Sequence, residues 1–271
     1  MASIETPIMQ PLRAIAGDWK LLPSFMPVPG MGALAVNSLV LNCSEPLLVD
    51  TGLAALRDDW LERLGEVVDP VDLKWIWISH ADADHVGNLA ALLEVAPSAK
   101  VLTSFLGMGK LAMAGIRPER MQIVEPGGLL EIGGRRLLPI RPPYYDAPET
   151  LGLFDPGDGL LFTADCYGAL LPGPVERAED AGVQALREGM VQWSAVDSPW
   201  LGQVDRDGLG ATLKAFGALA PQCVVSSHLP PVAGGLETLS PIIFNAWCRN
   251  GGGPADTFHV EAVADVLHAA A

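Results

Sequence analysis

Residues 74–87 read KWIWISHADADHVG, and this stretch decides the fold. Its first part, Trp75–Ile78, is a short apolar run of aromatic and β-branched side chains, which predicts a buried strand. Four potential metal ligands follow directly after Ser79; they are His80, Asp82, Asp84 and His85. In an extended loop alternate side chains point the same way, which predicts that His80, Asp82 and Asp84 meet at one spot and that His85 reaches a second. Imidazole and carboxylate groups together suit iron, manganese or zinc.

A purely structural interpretation of these residues is also open. Asp and His are common in polar loops, and Asp84 alone would make a good N-cap for the helix that is predicted next. Two His and two Asp packed into H-x-D-x-D-H after a buried strand are harder to explain that way. We therefore predict a metal site at the end of this strand.

The length and composition limit the class of protein to which this chain can belong. The chain has 271 residues, of which 49% are hydrophobic and 18% charged, with a net charge of −15. This favours one large globular domain over residues 1–271, with a core at about 30–230 and helices over 235–271. The acidic balance argues against a nucleic-acid partner, and the absence of a long apolar run or signal peptide predicts a cytoplasmic protein that does not span a membrane.

Apolar patterns predict the order of the elements. Strands are expected at 35–41, 46–50, 74–79 and 99–103, with helices at 53–66, 86–96 and 105–114, and an irregular Pro- and Gly-rich arm is expected at 17–31. The second half opens with five short strand-like runs, followed by mainly helical sequence at 174–219, a strand that ends at His228 and a terminal helix at 254–269. The four cysteines form no Cys-x-x-Cys pair, which predicts free thiols.

Three further candidate ligands lie at or beside the ends of the later strands. Asp146 stands in PPYYDAPET, Asp165 ends GLLFTAD and His228 ends CVVSSH. Singly, each has an ordinary explanation as a turn, cap or loop residue. Loops at strand ends also carry chemistry on a rigid scaffold, so these three residues are the natural partners of the first cluster.

HADADH resembles the H-x-[H/E/D]-x-D-H signature of the metallo-β-lactamase superfamily, and more narrowly the diiron domain of flavodiiron proteins. VDPVDLKWIWISHADADHVGNLAALLEVAPSAKV and GALAVNSLVLNCSEPLLVDTG extend the resemblance over roughly residues 30–230. The resemblance implies an α/β fold, the αββα sandwich of the superfamily.

The resemblance also implies a ligand set for two metal ions. One ion would take His80, Asp82 and Asp146, the other would take Asp84, His85 and His228, and Asp165 would bridge them. Asp146 stands where the family has His, which makes the first site more anionic and favours iron, with zinc or manganese as alternatives. Tyr144 and Tyr145 are candidate donors beside the ligands, whereas His259 and His268 fall outside the pattern.

Three functions follow as hypotheses. The first is a diiron protein that binds or reduces O₂ or NO, with electrons from an external redox protein and no flavin expected in this chain. The second is a metallohydrolase of an ester, thioester or lactam, in which Asp84 orients or deprotonates a metal-bound water. The third is a binding or sensory module with a vestigial metal site. A homodimer is compatible with the Trp and Met content of the arm.

Overall fold

The computed structural model describes residues 4–233 and 235–249. The strands are β1 (Ile8–Met9), β2 (Arg13–Ala16), β3 (Trp19–Val28), β4 (Gly32–Leu41), β5 (Leu47–Val49), β6 (Trp75–Trp77), β7 (Lys100–Thr103), β8 (Met121–Ile123), β9 (Leu130–Ile132), β10 (Arg135–Ile140), β11 (Gly152–Asp155), β12 (Leu160–Phe162), β13 (Leu170–Leu171), β14 (Cys223–Ser226) and β15 (Leu229–Ala233). The α-helices are α1 (Arg57–Gly65), α2 (Ala83–Val86), α3 (Leu89–Val95), α4 (Phe105–Met113), α5 (Val183–Asp197), α6 (Arg206–Gly217) and α7 (Leu236–Ile243). Short 3-10 turns lie at Ala54–Leu56, Pro70–Asp72, Pro118–Arg120, Ala178–Ala181 and Pro199–Gln203, and a π-helical segment follows at Phe244–Arg249.

The strands form two sheets. The first has the order β1-β3-β4-β5-β6-β7-β8, with β2 paired to β3 and β13 paired to β4; the second has the order β15-β14-β12-β11-β10-β9. Strands β5 to β8 run parallel to one another, and β12 runs parallel to β14. Parallel neighbours end on the same edge of a sheet, so the loops after β5, β6, β12 and β14 are the ones that meet around the predicted site.

Alternation along the strands separates the layers of the molecule. In β4, Leu39 and Leu41 pack between the two sheets with Leu153 and Phe162 of the second sheet, whereas Val40 packs with the helices on the outer face. Helices α1, α3 and α4 cover the first sheet, and α5, α6 and α7 cover the second. The predicted αββα sandwich is therefore confirmed, with an apolar core between the sheets and one beneath each helical layer.

The irregular arm predicted at 17–31 is wrong, because most of it is the ten-residue strand β3, paired along its length with β4. Prolines at 23 and 27 suggested a loop. The carbonyl of Pro23 accepts a hydrogen bond from Gln10 N on the outer side, so the missing N–H of Pro23 also faces that side. A strand tolerates proline where the lost donor faces away from its continuous partner.

Part of the prediction lies outside the described residues. The terminal helix at 254–269, His259 and His268 fall there, so the single domain over 1–271 stays a prediction. Among the described helices, none is long and apolar enough to cross a bilayer.

Helix α5 packs closely against strand β13 at a glycine. A Cβ on Gly189 would lie 2.1 Å from the carbonyl oxygen of Leu170 in β13, so only glycine fits. Gly109 in α4 is the natural comparison, since it is also inside a helix but is exposed and has open space around its Cβ position.

We expect Gly189→Ala to lower the free energy of unfolding by about 1–3 kcal/mol, because the helix must move off the strand. Gly109→Ala should raise it by about 0.5–1 kcal/mol, since alanine reduces backbone freedom in the unfolded chain. Urea denaturation measures both. Equal stability of the two variants would contradict the close packing of α5.

Candidate metal centre

All seven predicted ligands lie together at the edge where the parallel strands end. Asp165 is at the middle of the cluster, and the Nε2 atoms of three imidazoles approach its carboxylate. His228 Nε2 lies 3.2 Å from Asp165 Oδ2, His85 Nε2 lies 3.2 Å from Oδ1, and His80 Nε2 lies 3.5 Å from Oδ2. These three histidines are buried, and Asp165 is only 4% exposed.

The remaining carboxylates divide into two groups around Asp165. His80, Asp82 and Asp146 have ligand atoms within 4.8 Å of one another, and so do Asp84, His85 and His228. Asp84 lies 3.5 Å from His85 Nε2 and 3.4 Å from His228 Nε2. Simple alternation, which put Asp84 with His80 and Asp82, is wrong because the chain turns into α2 at Ala83 and carries Asp84 to the other side.

His85 is held by a carboxylate behind the cluster. Its Nδ1 lies 2.9 Å from Asp50 Oδ2, and because a carboxylate only accepts, Nδ1 is the donor. Asp50 is itself fixed by Ser79, whose backbone N–H and hydroxyl donate to the two carboxylate oxygens at 2.8 and 2.7 Å. The proton on Nδ1 leaves Nε2 of the neutral ring as a free ligand atom aimed at Asp165.

His228 is held in the same way by the first sheet. Its Nδ1 donates to the Ala35 carbonyl at 2.7 Å, which again leaves Nε2 for the cluster. The Asn37 side chain donates to the carbonyls of Ser226 and Leu229, at 2.9 and 2.8 Å, on both sides of His228. Strand β4 therefore fixes a ligand that is supplied by the second sheet.

The backbone is strained at Asp50 and beside Asp165. Among the described residues, four non-glycine residues have positive φ, and three of them, Asp50, Ala164 and Tyr167, belong to the cluster or flank Asp165. The turn at Asp165 is held by Ser226 Oγ, which donates to the Ala164 carbonyl at 2.8 Å. Strained residues that surrounding contacts enforce are typical of functional sites.

The cluster has the properties of a metal-binding site. His80 Nε2, His85 Nε2 and Asp165 Oδ1 are buried without a hydrogen-bond partner among the described residues. Buried polar atoms are normally satisfied, so atoms left facing one another call for a cation or protons between them. Four aspartates and three imidazoles suit two divalent ions, and iron or manganese better than zinc.

The pKa values of the clustered groups are shifted by their proximity to one another. Burial is the largest effect and lowers the pKa of all three histidines, yet the surrounding carboxylates, with Asp165 foremost, outweigh it and raise the pKa, to about 9 for His228. Burial raises the pKa of Asp165, but His228, His85 and His80 together hold it well below its ordinary value. Without metal, protons would occupy the cluster.

The two candidate tyrosines occupy different positions. Tyr144 is fully buried, and its hydroxyl accepts a hydrogen bond from the backbone N–H of Tyr167 at 2.8 Å. The Tyr145 ring packs at a tilt against Trp200, and the Arg141 guanidinium lies over it, 5.1 Å from the ring centroid. The hydroxyl of Tyr144 is thus engaged with the backbone of Tyr167, the ring of Tyr145 makes packing contacts, and the proposed role of both as donors stays a prediction.

Sequence reasoning missed two carboxylates of this region. Asp50 was visible in the Asp-Thr-Gly turn but had no assigned role, although it orients His85. Asp197 had no sequence signal, since a polar residue at a helix end is ordinary; its ligand oxygen lies within 4.8 Å of those of Asp146 and Asp165. Burial first, and then these two carboxylates, raise the pKa of Asp197 to about 7. The four cysteines are free, as predicted.

The fold and cluster define a metallo-β-lactamase-type sandwich with a carboxylate-rich site at its strand ends. The family model described as "ODP family beta lactamase" matches residues 35–194, and the chain belongs to this family.

Curated relatives match about half of this chain. It is 34% identical over 134 residues, 49% of its length, to "Putative diflavin flavoprotein A 1" of Thermosynechococcus vestitus, and covers 24% of that protein. The chain is 29% identical over 136 residues to "Flavo-diiron protein FprA2" of Clostridium acetobutylicum and covers 34% of that protein. It is 26% identical over 133 residues to "Nitric oxide reductase" of Moorella thermoacetica and covers 33% of that protein. Each of these two matches spans 49% of this chain. The chain thus spans about a quarter to a third of the length of these relatives.

Solved structures share the fold. The rubredoxin oxygen:oxidoreductase of Desulfovibrio gigas superposes with a TM-score of 0.74 at 21% identity, over 86% of this chain and 59% of that one. At this identity the similarity establishes the architecture alone.

The raised pKa values predict how pH acts on the metal-free protein. A histidine with a higher pKa when folded stabilises the fold below pH 6.5 and loses that contribution as pH rises through about 9. We expect the melting temperature in chelator to fall between pH 6.5 and 9. Asp197 adds a fall at lower pH, between its ordinary pKa of 3.8 and about 7, because the folded protein holds its proton over that range.

Metal should reverse this trend, because it replaces the protons and binds more tightly as the ligands lose them. Asp165→Asn should flatten the metal-free profile, since it removes the charge that raises the histidine pKa values. Differential scanning calorimetry measures each profile. A metal-free melting temperature that is constant or rises over this range would contradict the assignment.

Proposed function

We propose that this protein holds two adjacent iron ions in the cluster and uses them to bind or reduce O₂ or NO. The observation that carries the proposal is the convergence of three imidazole Nε2 atoms on the buried carboxylate of Asp165, with a carboxylate group on either side. A carboxylate with two oxygens directed at different histidines is suited to bridging two ions.

Each residue has a role in holding the centre. His80, Asp82 and Asp146 would hold one ion, Asp84, His85 and His228 the other, and Asp165 both. Asp146 accepts a hydrogen bond from Thr150 Oγ1 at 3.3 Å, which orients its carboxylate toward His80. Asp82 is exposed, so its side of the cluster is where a small ligand would enter.

The names of the relatives support iron and a diatomic ligand. They include a flavo-diiron protein, a nitric oxide reductase and an oxygen:oxidoreductase. When bound, a pair of ferrous ions supplies two electrons to one ligand. Further turnover requires electrons from a redox partner, which we propose is a separate protein.

The hydrolytic alternative has less support. Its proposed base, Asp84, lies between His85 and His228 and is committed as a ligand in our assignment. Burial raises the pKa of Asp84, but these two histidines outweigh it and lower the pKa, so this carboxylate is a weak base. The relatives reported above are named as flavoproteins, a diiron protein and reductases rather than as esterases.

The proposal predicts that protein loaded anaerobically with Fe²⁺ consumes O₂. We expect uptake at a Clark electrode together with a new visible absorption band, and a separate spectral change on addition of NO. His85→Ala should abolish both, because it removes a ligand of one ion and a contact of Asp165. His268→Ala, outside the ligand pattern, is the matched control.

Two outcomes would contradict the proposal. Iron bound at two ions per chain without any response to O₂ or NO would exclude the gas chemistry. Turnover of a generic ester or thioester by the zinc form, lost in His80→Ala, would favour hydrolysis instead.

A further inference from the structure

Asp197 is a carboxylate in an electrostatically unfavourable place. It is the last residue of α5, where the free carbonyls of the helix carry partial negative charge. It also faces two further carboxylates, since ligand oxygens of Asp146, Asp165 and Asp197 lie within 4.8 Å of one another. A carboxylate in such surroundings is stabilised either by a proton or by a cation that binds it together with its neighbours.

A neighbouring polar atom without a hydrogen-bond partner is an independent indication of a cation. The Nε2 atom of His80, a fully buried residue, has no hydrogen-bond partner among the described residues. His80 Nε2 lies 3.7 Å from Asp146 Oδ2 and 3.5 Å from Asp165 Oδ2, so this unpartnered nitrogen lies beside the two carboxylates that Asp197 approaches.

The position of Asp197 is built into the fold. Ser198, itself fully buried, donates its hydroxyl to Asp197 Oδ2 at 3.0 Å and orients the carboxylate. One turn earlier on α5, Trp193 packs edge-on against the His228 ring, with centroids 4.9 Å apart. Helix α5 therefore meets the cluster at two successive turns, and the Gly189 contact with β13 fixes its depth.

We propose that Asp197 is an eighth protein ligand of the metal centre, bound to the ion on the His80 side. The proposal rests on the two-ion centre proposed above. Two oxygens on opposite sides of one ion are about 4.4 Å apart, because each metal–oxygen bond is about 2.2 Å. Ligand oxygens of Asp146, Asp165 and Asp197 lie within 4.8 Å of one another, so small side-chain movements would bring all three to one ion.

An additional carboxylate makes the two ions chemically different. The His80 side then offers one imidazole and the carboxylates of Asp82, Asp146, Asp165 and Asp197. The other side offers two imidazoles with Asp84 and Asp165. Oxygen-rich sites suit harder ions, so the His80 side is the one that takes Mn²⁺ readily, whereas the imidazole-rich side suits iron or zinc.

The test is equilibrium dialysis of the metal-free full chain against Mn²⁺, with bound metal measured by atomic emission. We expect two ions per wild-type chain. Asp197→Asn, which keeps the size but removes the charge, should weaken one of the two by about tenfold or more and leave the other within about threefold. Glu188→Gln is the matched control, an exposed acid-to-amide change on the same helix, and should bind as wild type.

The possible failures can be told apart. One ion or fewer per wild-type chain defeats the two-ion centre itself. Two ions with wild-type affinity in Asp197→Asn defeats only the role of Asp197. Should the variant fail to fold by circular dichroism, anomalous diffraction from wild-type crystals soaked in Mn²⁺ decides: an Asp197 oxygen within about 2.5 Å of manganese supports the proposal, and one beyond about 4 Å overturns it.

Discussion

The structure depends on one carboxylate buried among three imidazoles. Asp165 is nearly inaccessible, and its two oxygens face His80, His85 and His228 at 3.2–3.5 Å. Taking a charge out of water is costly unless it is paired, so these groups are tolerated together only if protons or metal ions lie between them. This requirement explains the surrounding contacts, which hold each imidazole with its free nitrogen directed inward.

The sandwich supplies those contacts from both sheets. Asp50 and Ser79, which follow β5 and β6, fix His85, and strand β4 fixes His228 through the carbonyl of Ala35. Because the ligands come from both sheets while their supports come mainly from the first, the packing of one sheet on the other is part of the site geometry. The residues with positive φ, Asp50, Ala164 and Tyr167, also lie in this region around the cluster.

Much of this arrangement was accessible from the sequence, for identifiable reasons. The buried strand before His80 and the strand ends before Asp165 and His228 are short-range patterns, and the family resemblance linked them across the chain. Strand β3 was missed because Pro23 was taken as a loop signal. A proline is compatible with a strand when its missing N–H faces away from the main neighbouring strand, and the sequence alone does not show which strand lies on which side. Asp197 was missed because its importance comes only from the path of α5 across the cluster. The helix expected at 254–269 lies outside the described residues.

The carboxylate content distinguishes this centre within the arrangement that the resemblance implies. Asp146 stands where the resemblance implies His, and Asp197 adds a further negative charge close to it. Asp146 lies beside His80, and in the proposed centre both carboxylates would bind the ion on that side, so negative charge would be divided unevenly between the two ions. In the proposed centre, an oxygen-rich position would favour a higher oxidation state of its ion, which is the property that the proposed reduction of a bound gas would need.

The central claim is that these side chains hold two ions bridged by Asp165. X-ray absorption at the iron edge, on protein loaded anaerobically with Fe²⁺, tests it most directly. The account predicts about two irons per chain, an iron–iron distance of roughly 3.5–4 Å and a first shell of nitrogen and oxygen only. A single iron without a metal neighbour, or sulfur in the first shell, would contradict it.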